Sequence, residues 1–361
     1  MIDRNQLENI DWILIGLLVL NSLIGLAFIH SSSHYLYGNY ALKQLLWIIV
    51  SLSALFLSVN YRSLVTYSFY FYVVTVSILA GILLFGTLTS GAKSWIVLPF
   101  FWIQPSEIAK IIVILVLANI FSNYRREYLT VGQALLSSLF VFVPVALIAL
   151  QPDLGTALTY IPILMAAFIL AGMGRKTVII LVILGLLIGI VGWSVFLRDY
   201  QKERITTLVS PEKDPLGAGY HTIQSKIAIG SGGFLGKGYK KGTQSQLRFL
   251  PARHTDFILS VIGEEFGFMG VVTVLLCYFL FLSRLFQSVT KARDRAGVYI
   301  IFMIALSIAF QFCVNVFMTI GLFPIAGVPL PLASYGGSSL LTNYLAVSLV
   351  LNIKMRRFVN V

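Results

Sequence analysis

Long apolar runs alternate with short polar interruptions along the whole chain, and the runs exceed what a soluble core uses. At about 20 apolar residues per membrane crossing, the pattern predicts about ten helices, starting near Asp11, Tyr40, Ser63, Pro105, Val131, Leu154, Thr177, Asp256, Gly297 and Ser338. The first run, Ile13 to Ile29, has no small-residue cleavage site behind it and reads as a retained helix. One stretch breaks the rhythm: Arg198 to Asp256 is long, basic and punctuated by glycine. The expected fold is an all-α integral membrane protein. It is a single polytopic domain over residues 1–361, a bundle with a large extracytoplasmic loop, 198–256, between helices 7 and 8.

Composition agrees: 58% hydrophobic and 11% charged residues, with a mean hydropathy of +0.89, exclude an ordinary soluble domain. Cys277 and Cys313 both fall inside apolar runs, so no disulfide framework is implied. His30, His34, His221 and His254 are scattered without partners at ligand spacing, so no metal site and no zinc is expected.

Charge orients the bundle. The short connections Tyr61-Arg62, Tyr124-Arg125-Arg126, Arg175-Lys176, Lys291 to Arg295 and the tail Lys354 to Arg357 are basic, which puts them and both termini in the cytoplasm. The loops 30–39, 86–104, 151–153, 198–256 and 321–337 then lie outside. The largest carries Arg198, Lys202, Arg204, Lys213, Lys226, Lys237, Lys240, Lys241, Arg248 and Arg253 against only five acids, a surface that attracts anions. Loops approaching about 60 residues cross regardless of such charge.

Ionisable groups at membrane depth are costly, so each is a functional candidate beside its structural reading. Glu107 and Lys110 share one face of the fourth helix and can form a buried ion pair that fixes its packing. Asp153 stands where a sixth-helix N-terminus is expected, as a cap or as a group open to the outer face. Asp256, Ser260 and Glu264 recur every four residues as a polar stripe, and Thr255-Asp256 also fits an N-cap. Ser231 to Gly238 could expose amides to a phosphate as an anion nest, or make ordinary turns. From Tyr220 to Ile229 the positions Tyr220, Ile223 and Ile227 predict the apolar face of an interfacial helix, with Gln224, Ser225 and Lys226 around the rest. Lys93 beside Trp95 could hold a phosphate and a sugar face, while Trp102 suits an interfacial anchor. Pro324, Pro329 and Pro331, followed by Ser334 to Ser339, suit a re-entrant loop buried against protein.

These segments together resemble the SEDS (shape, elongation, division, sporulation) family of bacterial membrane proteins. The resemblance is carried by Gly91 to Ile96, Gln104-Pro105-Ser106-Glu107 to Lys110, Gln151 to Thr156, Gln224-Ser225 to Gly233, Leu250-Pro251 to Phe257, Glu264-Glu265 and Leu330-Pro331 to Ser339. Pro211 to Gly217, Lys241 to Ser245 and His254-Thr255-Asp256-Phe257 are similar to its rod-shape branch more than to its division branch. Ser94 stands where the family usually carries arginine, so the site lacks a guanidinium fork there.

The resemblance implies an inverting peptidoglycan glycosyltransferase of the bacterial cytoplasmic membrane. It would polymerise lipid II into β-1,4 glycan on the outer face during elongation, beside a class B penicillin-binding protein transpeptidase. Asp256 would be the catalytic residue, with Glu107, Lys110, Asp153 and Glu264 supporting it. Lys93, Trp95, Gln224, Lys226, Lys237, Arg253 and His254 are the candidates for holding substrate. Pyrophosphate is already a good leaving group, so the chemistry asks for cations and one general base rather than the two carboxyl groups of glycoside hydrolysis. No tightly bound cofactor is expected; a divalent cation, Mg or Mn, could accompany the pyrophosphate. The competing readings are a lipid II flippase, which should show polar groups through the full bilayer depth, and a scaffold that only activates its transpeptidase.

Overall fold

The computed structural model describes residues 10–33, 39–55, 59–86, 94–97, 102–124, 128–191, 202, 207–208 and 218–356. Ten helical passages cross the bundle, three of them interrupted. The first are α1 (Trp12–Ser33), α2 (Tyr40–Leu55), α3 and α4 (Tyr61–Thr66 and Ser68–Phe85, one passage), α5 (Pro105–Ser122) and α6 (Val131–Leu150). There follow α7 and α8 (Leu154–Leu158 and Ile161–Leu170, one passage) and α9 (Arg175–Val191). The last three are α12 (Ile258–Val289), α13 (Arg295–Thr319) and α14 (Gly337–Met355). Six of these helices are individually long and apolar enough to span a membrane. A two-residue hairpin, β1 (Ile96–Val97) with β2 (Trp102–Ile103), precedes α5. Between α9 and α12 lie α10 (Ala218–Ser231) and the single turn α11 (Thr243–Gln246).

All ten predicted starts fall within two residues of the observed ones, and the details that differ have local causes. The third passage opens at Tyr61 because Asn60 caps it, accepting from the Arg62 amide at 3.1 Å. The sixth passage breaks after Leu158 and resumes at Ile161 with Pro162 in its first turn, where a missing N–H costs nothing.

Helix α5 forms the centre. Val113 to Ala118 are all at most 3% exposed, so no face of this stretch meets solvent or lipid. It packs against α4, α13 and α6, while α2 lies on α14 and α1 on α12. Outer faces stay apolar and open, as on Ile49 and Phe279, which suits a lipid surround. At one end Asp11 accepts from Arg284 at 2.9 Å and from Lys354, so the start of the first passage and the end of the last meet there. That contact requires an even number of crossings. Arg62, Arg295 and Arg356 gather at the same end.

Helix α12 is broken at Gly267 (φ 63°, ψ −158°), which its sequence pattern does not announce. The break orphans backbone groups at membrane depth, where each must find a protein partner. The segment from Gly232 to Gly238 supplies them: the amides of Lys237 and Gly238 donate to the Glu264 and Glu265 carbonyls at 3.1 and 2.8 Å. The amides of Phe268 and Met269 donate to the Gly233 and Phe234 carbonyls at 2.9 and 3.2 Å. Such backbone-to-backbone approach needs glycine. A Cβ at Gly232 would lie 1.9 Å from the Gly263 carbonyl oxygen, and one at Gly236 would lie 2.2 Å from that of Glu265.

Helix α10 forms where expected but buries a different face. Thr222, Ser225 and Ala228 are its buried positions, against α12, whereas Ile227 is 43% exposed. The small residues let the two backbones approach. Ser225 Oγ then reaches Ser260 Oγ at 2.7 Å and donates to the Thr319 carbonyl at 2.6 Å. The described part of the large loop is therefore built into the bundle as well as lying over it.

Candidate functional site: the Asp256 turn and the loop that holds it

Asp256 does not sit on a helix. Helix α12 begins at Ile258 with Phe257 in the cap position and no side-chain cap bond, so the capping role open to Thr255-Asp256 is not realised. Nor does Asp256 continue the stripe of Ser260 and Glu264, both of which are buried under α10 and the segment after it. The residues from Leu250 to Phe257 instead form turns, in which the amides of Thr255, Asp256 and Phe257 converge on the Ala252 carbonyl at 3.0–3.3 Å.

This turn is tied to α13 and to the non-helical stretch Gly321 to Gly336, which is mostly buried from Val328 to Ser334. The Tyr335 amide donates to the His254 carbonyl at 2.9 Å, Ser334 Oγ donates to the Thr255 carbonyl, and Asn315 Nδ2 donates to the Asp256 carbonyl at 2.9 Å. The Asp256 side chain is half-buried. A Cβ placed on Gly327, whose φ is +69°, would meet no described atom nearer than Asp256 Oδ2 at 3.9 Å. The Asp256 carboxylate therefore stands beside a glycine of the opposing loop, at van der Waals distance from where a methyl group on that glycine would lie. Val328, Leu330, Leu332 and Ala333 are at most 2% exposed, so the loop is re-entrant against protein, as its prolines suggested.

His254 belongs to an aromatic cluster. Its ring centroid is 4.7 Å from that of Tyr40 and 5.8 Å from that of Tyr335, and the two tyrosines meet edge-on at 5.0 Å. Burial, reinforced by the Arg253 cation, pushes the imidazole down to about 4. At neutral pH the ring is uncharged and serves as a packing plate, so it adds no positive charge for a phosphate.

Arg253 and Lys237 are likewise engaged within the protein. Arg253 is 4% exposed and donates to the Ser245 carbonyl. Lys237 Nζ lies 2.8 Å from Glu264 Oε1. The fully buried Glu264 carboxylate also accepts from the Gln244 and Ser245 amides at 2.7 and 3.0 Å, capping α11 from another element. Glu264 thus anchors the loop that carries Arg253 and, three residues on, Asp256. The glycine stretch is not an anion nest: the amides of Gly232, Gly233, Gly236, Lys237 and Gly238 all donate to protein carbonyls. Among the described residues, the loop cations left exposed are Lys226, Lys241 and Arg248. Gln224 is half-buried on α10, one turn from Ser225's contacts. Lys226 also lies along the C-terminal end of α13, where a Cβ at Gly321 would come within 2.6 Å of its Nζ.

A second polar group lies across the re-entrant loop. Glu107 and Lys110 form the ion pair expected of them, at 2.8 Å and almost fully buried. Asp153 caps α7, accepting from the Thr156 amide at 3.1 Å, and also accepts from Gln104 Nε2 at 2.7 Å. The cap reading of Asp153 therefore holds. Gly155, next in α7, would clash through a Cβ with the Ala326 carbonyl at 1.9 Å, so this helix packs directly on the residue beside Gly327. Trp95 is half-buried with its ring 6.4 Å from that of Trp102. Lys93 lies outside the described residues.

Among the described residues no three His, Cys, Asp or Glu side chains come together as a metal site. The residues that sequence reasoning missed are Asn315, Tyr40 and Gly327. Asn315, an amide in an otherwise apolar stretch of α13, was the one available signal.

The chain has relatives over most of its length. A family model described as cell cycle protein, covering FtsW, RodA and SpoVE, matches residues 10–358. Peptidoglycan glycosyltransferase MrdB of Escherichia coli strain K12 is 39% identical over 288 residues, 80% of this chain and 78% of that protein. Peptidoglycan glycosyltransferase RodA of Treponema pallidum strain Nichols is 34% identical over 97% of this chain and 98% of its own. Among solved structures, a chain described under the structural coordination of polymerization and crosslinking by a peptidoglycan synthase complex superposes with a TM-score of 0.83. It shares 32% identity over 97% of this chain and 99% of that one. The rod shape determining protein RodA of Thermus thermophilus gives a TM-score of 0.73 at 28% identity, over 97% and 98% of the two chains. With a match from residue 10 to residue 358 and the same helical bundle, this chain belongs to the FtsW/RodA/SpoVE family of cell cycle proteins, the SEDS family its motifs resemble.

Proposed function

We infer that this chain is a peptidoglycan glycosyltransferase of the bacterial inner membrane that polymerises lipid II, with Asp256 as general base. The observation that carries the reading is the Asp256 carboxylate, held half-buried beside Gly327 by a turn whose carbonyls are clamped. The relatives named peptidoglycan glycosyltransferases support the reaction class.

In this reaction the acceptor's 4-hydroxyl enters the space beside Asp256, and the carboxylate takes its proton as the oxygen bonds to the donor's anomeric carbon. The bond from that carbon to the pyrophosphate oxygen breaks, and the electron pair leaves with the pyrophosphate. Direct displacement inverts the centre, turning an α-linked donor into a β-1,4 linkage. The exposed cations Lys226, Lys241 and Arg248 suit the departing charge, and the open apolar flanks of the bundle suit a polyprenyl tail. The end bearing Asp256 is taken as extracytoplasmic, because the opposite end gathers Arg62, Arg284, Lys354 and Arg356. Both termini are then cytoplasmic. The partner is a class B penicillin-binding protein, a reading supported by the similarity to a chain from a complex that couples polymerization with crosslinking.

The experiment is lipid II polymerisation by purified protein with its partner. General-base catalysis contributes about 10²–10⁴-fold, so Asp256→Ala should lower glycan yield by that order while the protein keeps its melting temperature. Unchanged yield from the variant rejects the assignment. Asp256-dependent movement of labelled lipid II across vesicles, without polymer, would point to the flippase instead.

A further inference from the structure

We propose that Asn315 is a positioning residue for the reaction inferred above, setting the Asp256 turn against the re-entrant loop through its side-chain amide. This rests on the reading of Asp256 as the base.

Asn315 is 0% exposed, within the apolar helix α13. Burying an amide among apolar residues is costly unless it is hydrogen-bonded, so its presence calls for a purpose. Its Nδ2 donates to two carbonyls from different parts of the chain, that of Asp256 at 2.9 Å and that of Val328 at 2.8 Å. Val328 follows Gly327, the residue that faces the Asp256 carboxylate. One nitrogen therefore joins the turn that carries Asp256 to the residue after Gly327 in the re-entrant loop. The adjoining carbonyls of the turn are held from the same loop by Ser334 Oγ and the Tyr335 amide. The Asn315 oxygen, Oδ1, has no hydrogen-bond partner among the described residues, so it is the donor end of this side chain that they engage.

A leucine at this position keeps the approximate volume and removes both donors. Displacement of a catalytic group by about 1 Å costs on the order of 10²-fold in rate. Asn315 touches the backbone of the base rather than the substrate, so the loss should fall on kcat and not on binding. The inference distinguishes itself from a purely structural role in that way.

The test compares wild type, Asn315→Leu, Ser334→Ala and Asp256→Asn in lipid II polymerisation with the transpeptidase partner present. Rates are normalised to folded, monodisperse protein, and lipid II binding is measured separately. Asn315→Leu should lower kcat about 10²-fold with KM and lipid II binding within about threefold, the pattern expected of misplacement. Ser334→Ala, which removes one hydroxyl from the adjacent clamp, should show the same pattern more weakly. It carries the test if the leucine variant does not fold. A kcat per folded molecule within about twofold of wild type in both variants, with Asp256→Asn inactive, overturns the role of Asn315 while leaving the base assignment standing. An active Asp256→Asn removes the reading beneath it, and the inference falls with it.

Discussion

Lys237 offers the sharpest choice between a residue that holds substrate and one that holds the protein. Its sequence context among glycines and cations suggests a phosphate ligand, whereas its ammonium lies 2.8 Å from a Glu264 carboxylate that is fully buried. Lys237→Met deletes the cation and keeps the apolar stem. Removing one partner of a buried pair costs about 3–5 kcal/mol. Here the Lys237 side chain is 25% exposed and Glu264 keeps the Gln244 and Ser245 amides, so the loss should be nearer 2 kcal/mol on that scale. Thermal unfolding in detergent should show a melting temperature several degrees lower, while KM for lipid II stays within about threefold of wild type. Adding Glu264→Gln to Lys237→Met should recover part of the stability, because the uncompensated charge is gone. A charge-assisted hydrogen bond to pyrophosphate would instead be worth about 1.5–3 kcal/mol, a KM increase of about tenfold or more. That increase, with an unchanged melting temperature, would refute the structural assignment.

Two further perturbations test the surroundings of the site. The folded-state value of His254, about 4, lies below its ordinary 6.5, so the unfolded chain takes up the proton first as pH falls. The stability this ring contributes, at most about 3 kcal/mol, is complete above about pH 6.5 and is lost as the pH falls toward 4; melting curves across that window should flatten in His254→Phe, and equal slopes in both proteins would count against the buried neutral ring. Glu107→Gln leaves Lys110 buried without its counter-ion and should lower the melting temperature together with activity, with Lys110→Met in the same chain restoring stability; a loss of activity alone would give the pair a direct chemical role.

Several parts of the site were readable before any coordinates. Glu107 and Lys110 stand three apart on one helix, and that spacing alone brings them together. Asp153 precedes Leu154-Gly155-Thr156 and caps that helix, as its position implied. The cluster at 250–257 could be singled out, but its conformation could not, because the bonds that shape it come from residues some 60 to 80 positions away. The glycine run shows the same limit. Glycine permits a nest and close backbone packing equally, and only the position of Gly267 in the partner helix selects the second.

By itself, the order of residues determined that the chain is an all-helical membrane protein, how its passages are spaced and which short connections are basic. Hydrophobic run length and loop charge are local properties, and the bilayer reads them directly. The tertiary structure alone decided which cations remain exposed and which are bound to buried carboxylates. It also decided that α12 breaks at Gly267 and that the Asp256 carboxylate lies beside Gly327. Those outcomes depend on hydrogen-bond partners that distant segments supply. At membrane depth every polar group must find such a partner, and the fold settles which one it is.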